Sequence, residues 1–255
     1  MSTTNNNNKT LFISDLHIES ANSTIMHSLM NVLEQRAQGA DALYILGDLF
    51  EAWVGDDDIN DAGDRVAAAL HKLSRQGTQI FLMHGNRDFL LGESFAARCG
   101  GSLLAEPSII NCYGQSVLLL HGDSLCTRDT AYINYRKQVR EPSWQQAFLS
   151  RPLLERHMVA QQLRQQSMAE NSHKASDIMD VTHQEVLNLL EDKQVNLMIH
   201  GHTHRPGIHT IRLQAPINDK HEAVRIVLGS WDQKAWVLEF SPEGYDLKYF
   251  PHPVH

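Results

Sequence analysis

The chain has 255 residues, 42% hydrophobic and 20% charged, with a formal net charge of −8. That length and balance describe a globular protein with a sizeable core rather than a disordered one. The acidic surplus argues against binding nucleic acid through phosphate neutralisation. Three cysteines, Cys99, Cys112 and Cys126, have no C-x-x-C spacing. They form neither a disulfide framework nor a zinc knuckle, and read as reduced thiols of a cytosolic protein.

Met1 to Lys9 is polar, asparagine-rich and without the apolar centre of a signal peptide. It reads as a disordered tail ahead of one domain over 10–255. No apolar run approaches the ~18 residues of a membrane span, so any membrane contact is peripheral. Thr10 to Ser14 reads as a strand, followed by Asp15-Leu16-His17. A helix carries Ile25, Leu29, Val32 and Leu33 at helical spacing. A buried strand, Leu43 to Leu46, stops at Gly47-Asp48. A second helix carries Val66, Ala69, Leu70 and Leu73. The strand Gln79 to Met83 runs into His84-Gly85-Asn86-Arg87-Asp88. A short helix near Glu93 to Cys99 precedes strands at Leu103 to Ile110 and Ser116 to Leu120, the latter ending in His121-Gly122-Asp123.

A helix is expected over Asp177 to Asp192, with Ile178, Val181, Val186, Leu189 and Leu190 on one side. The strand Val195 to Ile199 leads into His200-Gly201-His202-Thr203-His204. Four β-rich segments close the chain, at Ile208–Leu213, Ala223–Leu228, Ala235–Phe240 and Tyr245–Phe250. Strands alternating with helices, then a run of strands, give an α/β fold with two packed β-sheets flanked by helices.

One stretch breaks the rhythm. Residues from about 126 to 176 have helical composition and no strand–turn–helix pattern. They hold eight basic and four acidic side chains, a net +4 against −12 for the remainder, with Trp144, Phe148, Leu149, Leu153, Leu154 and Met158 interspersed. We read this as a helical cap inserted into the domain. Most of its apolar side chains are expected to pack, and a minority to line a groove.

Five strand ends carry the same kind of group: Asp15 and His17; Asp48; Asn86; His121; and the cluster His200, His202, His204. Taken singly, each reads as readily as a turn residue, a helix cap or a satisfied core histidine. In order and together they make a mixed oxygen and nitrogen set at one sheet edge. That set suits borderline divalent ions such as Mn²⁺, Fe²⁺ or Zn²⁺, and it is too rich for one ion. Two ions ~3.5–4 Å apart need a shared carboxylate, and Asp48, central in the set, is the natural bridge. Spacing alone allows either His200 and His202 or His202 and His204 as the last pair.

Asp15-Leu16-His17, Gly47-Asp48-Leu49-Phe50-Glu51, Gly85-Asn86-Arg87-Asp88, His121-Gly122-Asp123 and Gly201-His202-Thr203-His204 resemble the five-block signature of the calcineurin-like metallophosphoesterases. The resemblance implies a dinuclear centre at one edge of two packed sheets. Asp15, His17, Asp48 and His204 would hold one ion, and Asp48, Asn86, His121 and His202 the other. His200 would be only a neighbour. Two positions depart from the common pattern: Glu51 stands where many members have Asp, and Arg87 where many have a leaving-group histidine. Arginine stays charged and cannot act as a useful acid, but it clamps phosphate oxygens. The leaving group should then be weakly basic, which points to a pyrophosphate bond.

The longer runs Leu43 to Asp58, His84 to Gly92, His121 to Cys126 and His200 to Pro206 resemble the branch of that family that hydrolyses UDP-2,3-diacylglucosamine in lipid A biosynthesis. The cap matches through Ser167-x-x-x-Asn171-x-x-Lys174. This implies two Mn²⁺ per chain and release of UMP and 2,3-diacylglucosamine 1-phosphate. The attack on the α-phosphorus would come from a hydroxide generated by the ions. Asp48, Asn86, Arg87 and His121 would be catalytic. Asn86, Arg87, Asp129, Ser167, Asn171, Lys174 and His202 would contact substrate. It also implies a monomer working peripherally at the cytoplasmic face of a Gram-negative inner membrane. The basic, apolar cap suits a double-chain anionic lipid. A soluble nucleotide pyrophosphatase and a metal-free scaffold remain as alternatives on the same framework.

Overall fold

The computed structural model describes residues 8–171 and 180–253. Up to residue 7 the expected tail lies outside the described residues. Period-two burial explains the layering. β1 (Thr10–Ile13), β2 (Ala42–Leu46) and β3 (Gln79–Met83) run parallel. Leu11, Ile13, Leu43, Ile45, Ile80 and Leu82 turn one way, into a core shared with three helices, α1 (Thr24–Val32), α2 (Asp61–Arg75) and α3 (Glu93–Arg98). Phe12, Tyr44, Leu46 and Met83 turn the other way, towards Val117, Leu119, Leu197 and Ile199 of the second sheet. Both faces are apolar, so these strands read as continuous hydrophobic runs.

The remaining strands are β4 (Ser102–Leu104), β5 (Ser108–Cys112), β6 (Gln115–Leu119), β7 (Leu197–His200), β8 (Gly207–Ile217), β9 (Lys220–Val227), β10 (Lys234–Ser241) and β11 (Gly244–Pro251). The first sheet has the order β11-β10-β1-β2-β3-β4, and the second β5-β6-β7-β9-β8. Within the second sheet β6, β7 and β9 are parallel, so both sheets send strand ends to one edge. The expected α/β fold with two packed sheets is what forms. Helix α7 (His183–Lys193) covers the outer face of the second sheet through Val186, Leu187 and Leu190.

Two element boundaries differ from the sequence reading. The segment 103–110 is two strands rather than one, β4 at the edge of the first sheet and β5 at the edge of the second. Pro107, between them, has no N–H to give a ladder, and the chain changes sheets there. Helix α7 begins at His183 after the N-cap Thr182, later than expected. Val181 precedes the helix yet still packs into its core, while Ile178 lies outside the described residues.

Three helices occupy the stretch read as a cap: α4 (Thr130–Val139), α5 (Pro142–Leu149) and α6 (Leu153–Asn171). Pro142 opens α5, where its missing N–H costs nothing. Asp129 caps α4 by accepting from the Tyr132 N–H at 3.1 Å. Arg156 of α6 is 2% exposed, pairs with Asp57 and donates to the Val54 carbonyl at 2.7 Å. The apolar side chains do not divide as expected. Phe148 is buried, but Leu149, Leu153, Leu154 and Met158 are 40%, 36%, 74% and 54% exposed. The helices form a single layer with one face on the core, so among the described residues their outer face has nothing to pack against.

Candidate active site

Five strand ends meet at the shared edge. The first sheet delivers Asp15 and His17 after β1, Asp48 after β2 and Asn86 after β3. The second delivers His121 after β6 and His202 and His204 after β7. Main-chain hydrogen bonds tie the loops together. The Asp15 N–H donates to the Gly47 carbonyl at 3.1 Å and the His17 N–H to the Asp48 carbonyl at 2.9 Å. The Gly201 N–H donates to the His121 carbonyl at 2.8 Å.

Asp15, His17, Asp48, His202 and His204 all have positive φ, between 51° and 66°. Non-glycine residues adopt that left-handed region at a cost, and such strain gathers at functional sites. The glycines beside them serve close approach: a Cβ on Gly85 would overlap the Asp48 carboxylate.

The side chains converge. Asn86 Oδ1 lies 3.0 Å from His121 Nε2 and 2.8 Å from His202 Nδ1. His17 Nε2 and His204 Nε2 face each other at 3.3 Å, and His204 Nε2 is 3.4 Å from Asp15 Oδ1. Asp48 Oδ2 stands 3.7 Å from both His17 Nε2 and His121 Nε2. Its other oxygen accepts the Arg87 N–H at 2.8 Å. Among the described residues, two groups of three have donor atoms close enough to hold an ion: Asp15, His17 and His204; and Asp15, Asp48 and His121. Asp15 belongs to both groups, while the sequence reading placed Asp48 as the shared ligand.

Asp15 and Asp48 are buried, and their charges dominate the local field. Burial opposes a charged imidazole at His17, but the hydrogen bond to Glu51 and the Asp48 and Asp15 charges raise its pKa to about 9. His121 is likewise raised to about 9, by Asp48 and Asp15 against burial. Asp15 is pulled well below the usual carboxylate range despite burial, through His204 and the neighbouring imidazoles. Burial, then His121, pushes His202 down to about 4. Two buried carboxylates drawing protons onto adjacent imidazoles mark a site with a shortage of positive charge. A borderline divalent cation meets that shortage, and the oxygen and nitrogen donors match its preference. The residues therefore fit the metal.

His200 does not join them. It ends β7, its Nδ1–H donates to the Gly201 carbonyl at 2.8 Å, and burial with Arg225 nearby pushes its pKa to about 3. The geometry thus brings His202 and His204 to the cluster. His84, half-buried, has Nε2 2.6 Å from the Leu91 carbonyl.

Four buried or half-buried acids behind the cluster were not assigned roles from the sequence. Glu51 Oε2 is 2.8 Å from His17 Nδ1. Asp88 accepts N–H groups of Gly85, Asp48 and Leu49. Asp123 accepts from Tyr132 and Arg136, and Glu106 accepts the His121 N–H. Glu51, Asp88 and Asp123 sit inside the quoted motifs and could have been found there. Glu106 stands alone in a loop and gave no signal.

A cavity of about 510 Å³ lies between the strand ends and α4–α6. Its floor is polar, with His17, Asp48, Asn86, Arg87, His202 and His204. Trp53, Val54, Phe89, Leu90, Trp144, Phe148, Ala160 and Leu163 make its apolar part. Asp129, Arg164 and Ser167 also line it. Lys174 and the side chain of Asn171 lie outside what is described. Arg87 Nε is buried with no hydrogen-bond partner among the described residues. No helix among the described residues is long and apolar enough to cross a membrane.

The calcineurin-like phosphoesterase family model matches residues 9–206. UDP-2,3-diacylglucosamine hydrolase of Cellvibrio japonicus is 50% identical over 94% of this chain and 98% of its own. The protein of the same name from Marinobacter nauticus is 51% identical over 91% and 93%. That of Pseudomonas aeruginosa is 46% identical over 94% and 98%.

Proposed function

The chain belongs to the calcineurin-like phosphoesterase family, and from the geometry of its site we propose how it works as a UDP-2,3-diacylglucosamine hydrolase of lipid A biosynthesis. One observation carries the reading: a single cavity has a polar floor of Asp, Asn and His and an apolar part lined by Trp53, Phe89, Trp144, Phe148 and Leu163. An anionic head joined to acyl chains fits that division.

Asp15, His17, Asp48 and His204 would hold one divalent cation, and Asp48, Asn86, His121 and His202 a second. Mn²⁺ is the ion we assign. Bound there, the pair supplies an activated water at neutral pH and neutralises phosphoryl charge. Asp48 would be the ligand shared between the two cations in this scheme. Its Oδ2 faces both halves of the cluster, while Oδ1 is occupied by the Arg87 N–H. Asp15 oxygens, by contrast, already accept the His202 N–H at 2.9 and 3.1 Å.

The Arg87 guanidinium clamps the phosphate oxygens, and its unpartnered Nε has a donor to give. Arg87 cannot act as an acid, so the bond broken is one whose leaving group needs none. Attack falls on the α-phosphorus, and the products are UMP and 2,3-diacylglucosamine 1-phosphate. Asp129 and Ser167 line the cavity beside the floor and, with Asn171 and Lys174, complete the substrate contacts. The exposed Leu149, Leu153, Leu154 and Met158 support a peripheral position on the cytoplasmic face of the inner membrane.

The test is Mn²⁺-dependent release of UMP from UDP-2,3-diacylglucosamine, with UDP-glucose as competitor. We expect cleavage of the lipid to exceed that of UDP-glucose by more than a hundredfold and to stop with chelator. Equal rates on both would overturn the lipid assignment.

A further inference from the structure

Tyr132 and Arg136 stand at i and i+4 on one face of α4, and Arg140, four residues further on, caps its C-terminus. All three reach strand-end loops. Tyr132 hydrogen-bonds Asp123 and stacks on the His202 ring at 6.1 Å and 25°. Arg140 donates to the Gly85 carbonyl at 2.8 Å.

Arg136 does something different: it joins two acids. Its Nε donates to Asp123 Oδ2 at 2.8 Å and its Nη2 to Glu106 Oε2 at 2.6 Å. Asp123 is fully buried and the Glu106 side chain is 9% exposed. The other Glu106 oxygen accepts the His121 N–H at 2.8 Å. His121 in turn anchors its Nδ1–H on the Leu46 carbonyl at 2.9 Å and aims Nε2 at Asn86 and Asp48. A continuous hydrogen-bonded line therefore runs from α4 to the His121 imidazole. Arg136 does not line the cavity, so it acts from behind the site.

We propose that Arg136 is a positioning residue for the metal centre, clamping Glu106 against Asp123 and through Glu106 fixing the main chain of His121. The planar fork of arginine is what allows one side chain to hold two carboxylates. Without it, two buried like charges face each other with one cation fewer between them. The Glu106 oxygen holding the His121 N–H is then the easiest to displace. The proposal rests on the two-cation reading above and adds a residue outside the ligand set. It also makes α4 a fixed part of the centre rather than part of a moving lid.

The experiment measures Mn²⁺ binding to the full chain, stripped with chelator, by the electron paramagnetic resonance of free Mn²⁺. Kinetics on UDP-2,3-diacylglucosamine at saturating Mn²⁺ accompany it. Arg136→Met should bind Mn²⁺ about 10–100-fold more weakly, the range for partners that orient a ligand. Its KM for the lipid should stay within about twofold of wild type, since Arg136 is outside the cavity. The double variant Glu106→Gln with Arg136→Met removes one buried charge and keeps an oxygen to accept the His121 N–H. It should recover most of the lost affinity, and Arg136→Lys should fall between single variant and wild type.

If Arg136→Met does not fold, the double variant and Arg136→Lys carry the test, and wild-type affinity in Arg136→Lys would overturn the clamp. Wild-type Mn²⁺ affinity in Arg136→Met would do the same, as would a double variant no better than the single one. A wild-type chain that binds no Mn²⁺ would instead sink the two-cation reading itself.

Discussion

Asp88 holds Asp48 from behind: its buried carboxylate accepts the Asp48 N–H at 3.2 Å. The same carboxylate accepts Leu49 at 2.7 Å and Gly85 at 2.8 Å, so it staples the loop after β2 to the loop after β3. Those loops carry Asp48, Asn86 and Arg87. Asp88→Asn puts an amide N–H where an acceptor is needed and leaves at least one buried donor unpaired. We expect a loss of about 1–3 kcal/mol in urea unfolding, the cost of an unsatisfied buried group. An unchanged urea midpoint would show that the staple contributes nothing.

Asp48→Asn should behave differently. The amide keeps the size and the acceptor oxygen facing the Arg87 N–H, so the local structure has no reason to collapse. It loses the negative charge that a bridging ligand supplies to both cations. Activity should fall by about three orders of magnitude or more, with the far-ultraviolet circular dichroism unchanged. Near-normal turnover would remove Asp48 from the bridging role and leave Asp15, common to both geometric groups, as the candidate.

Much of this was legible from sequence because the signal is local. Each strand end is an apolar run stopped by a glycine or a small polar pair, and β1, β2 and β3 place Asp15, Asp48 and Asn86 as the spacing predicts. The histidine pair was open to spacing alone, since positions 200, 202 and 204 alternate. What separates them is that His200 is still in β7 while His202 and His204 lie beyond it at positive φ. Glu106 was invisible because its role depends on a sheet change between β4 and β5 that brings it under His121. The helical character of 130–171 was visible by composition, but which of its apolar residues pack was not. The side chains of 153–158 share a helix, and only contact with the core decides their fate.

Arg87 tests the leaving-group argument. Its N–H serves Asp48, a main-chain contact that survives substitution, so variants report on the guanidinium alone. Arg87→Lys keeps the charge but loses the two-pronged contact with phosphate. We expect kcat/KM for the lipid to drop about 10–100-fold, with Arg87→Ala lower still and Mn²⁺ affinity unchanged in both. If Arg87→Ala retained wild-type kcat/KM, phosphate clamping would have to be assigned elsewhere.

The apolar part of the cavity should govern binding rather than chemistry. Trp144 stacks on Phe148 at 5.1 Å between ring centroids, and both line the cavity. Replacing Trp144 by Ala removes the wall without touching the polar floor. KM for the diacyl substrate should rise about tenfold or more, in line with the transfer energy of one large apolar contact, while kcat stays within a few-fold. A fall confined to kcat would mean that the indole orients the phosphate end instead.

The last prediction concerns what keeps that wall in place. Among the described residues of α4–α6, Arg156 is the buried charged side chain, and it reaches from α6 to the loop after β2. It donates to the Val54 carbonyl at 2.7 Å, to the Arg151 carbonyl at 3.0 Å and to Asp57. Asp57 itself is 62% exposed, so the ion pair is screened and its own contribution is small. The buried Val54 carbonyl matters more, because removing its donor leaves it unpaired. Arg156→Met should therefore destabilise far more than Asp57→Asn, by about 2–3 kcal/mol against less than 1. The damage should also be local. Val54 and the α6 residues Ala160, Leu163 and Arg164 line the same cavity, so loosening α6 from Val54 opens the wall before the sheets unfold. Limited proteolysis should cut Arg156→Met within 150–171 at denaturant concentrations where wild type and Asp57→Asn resist. Equal protection of all three would show that α6 is held by its apolar contacts alone.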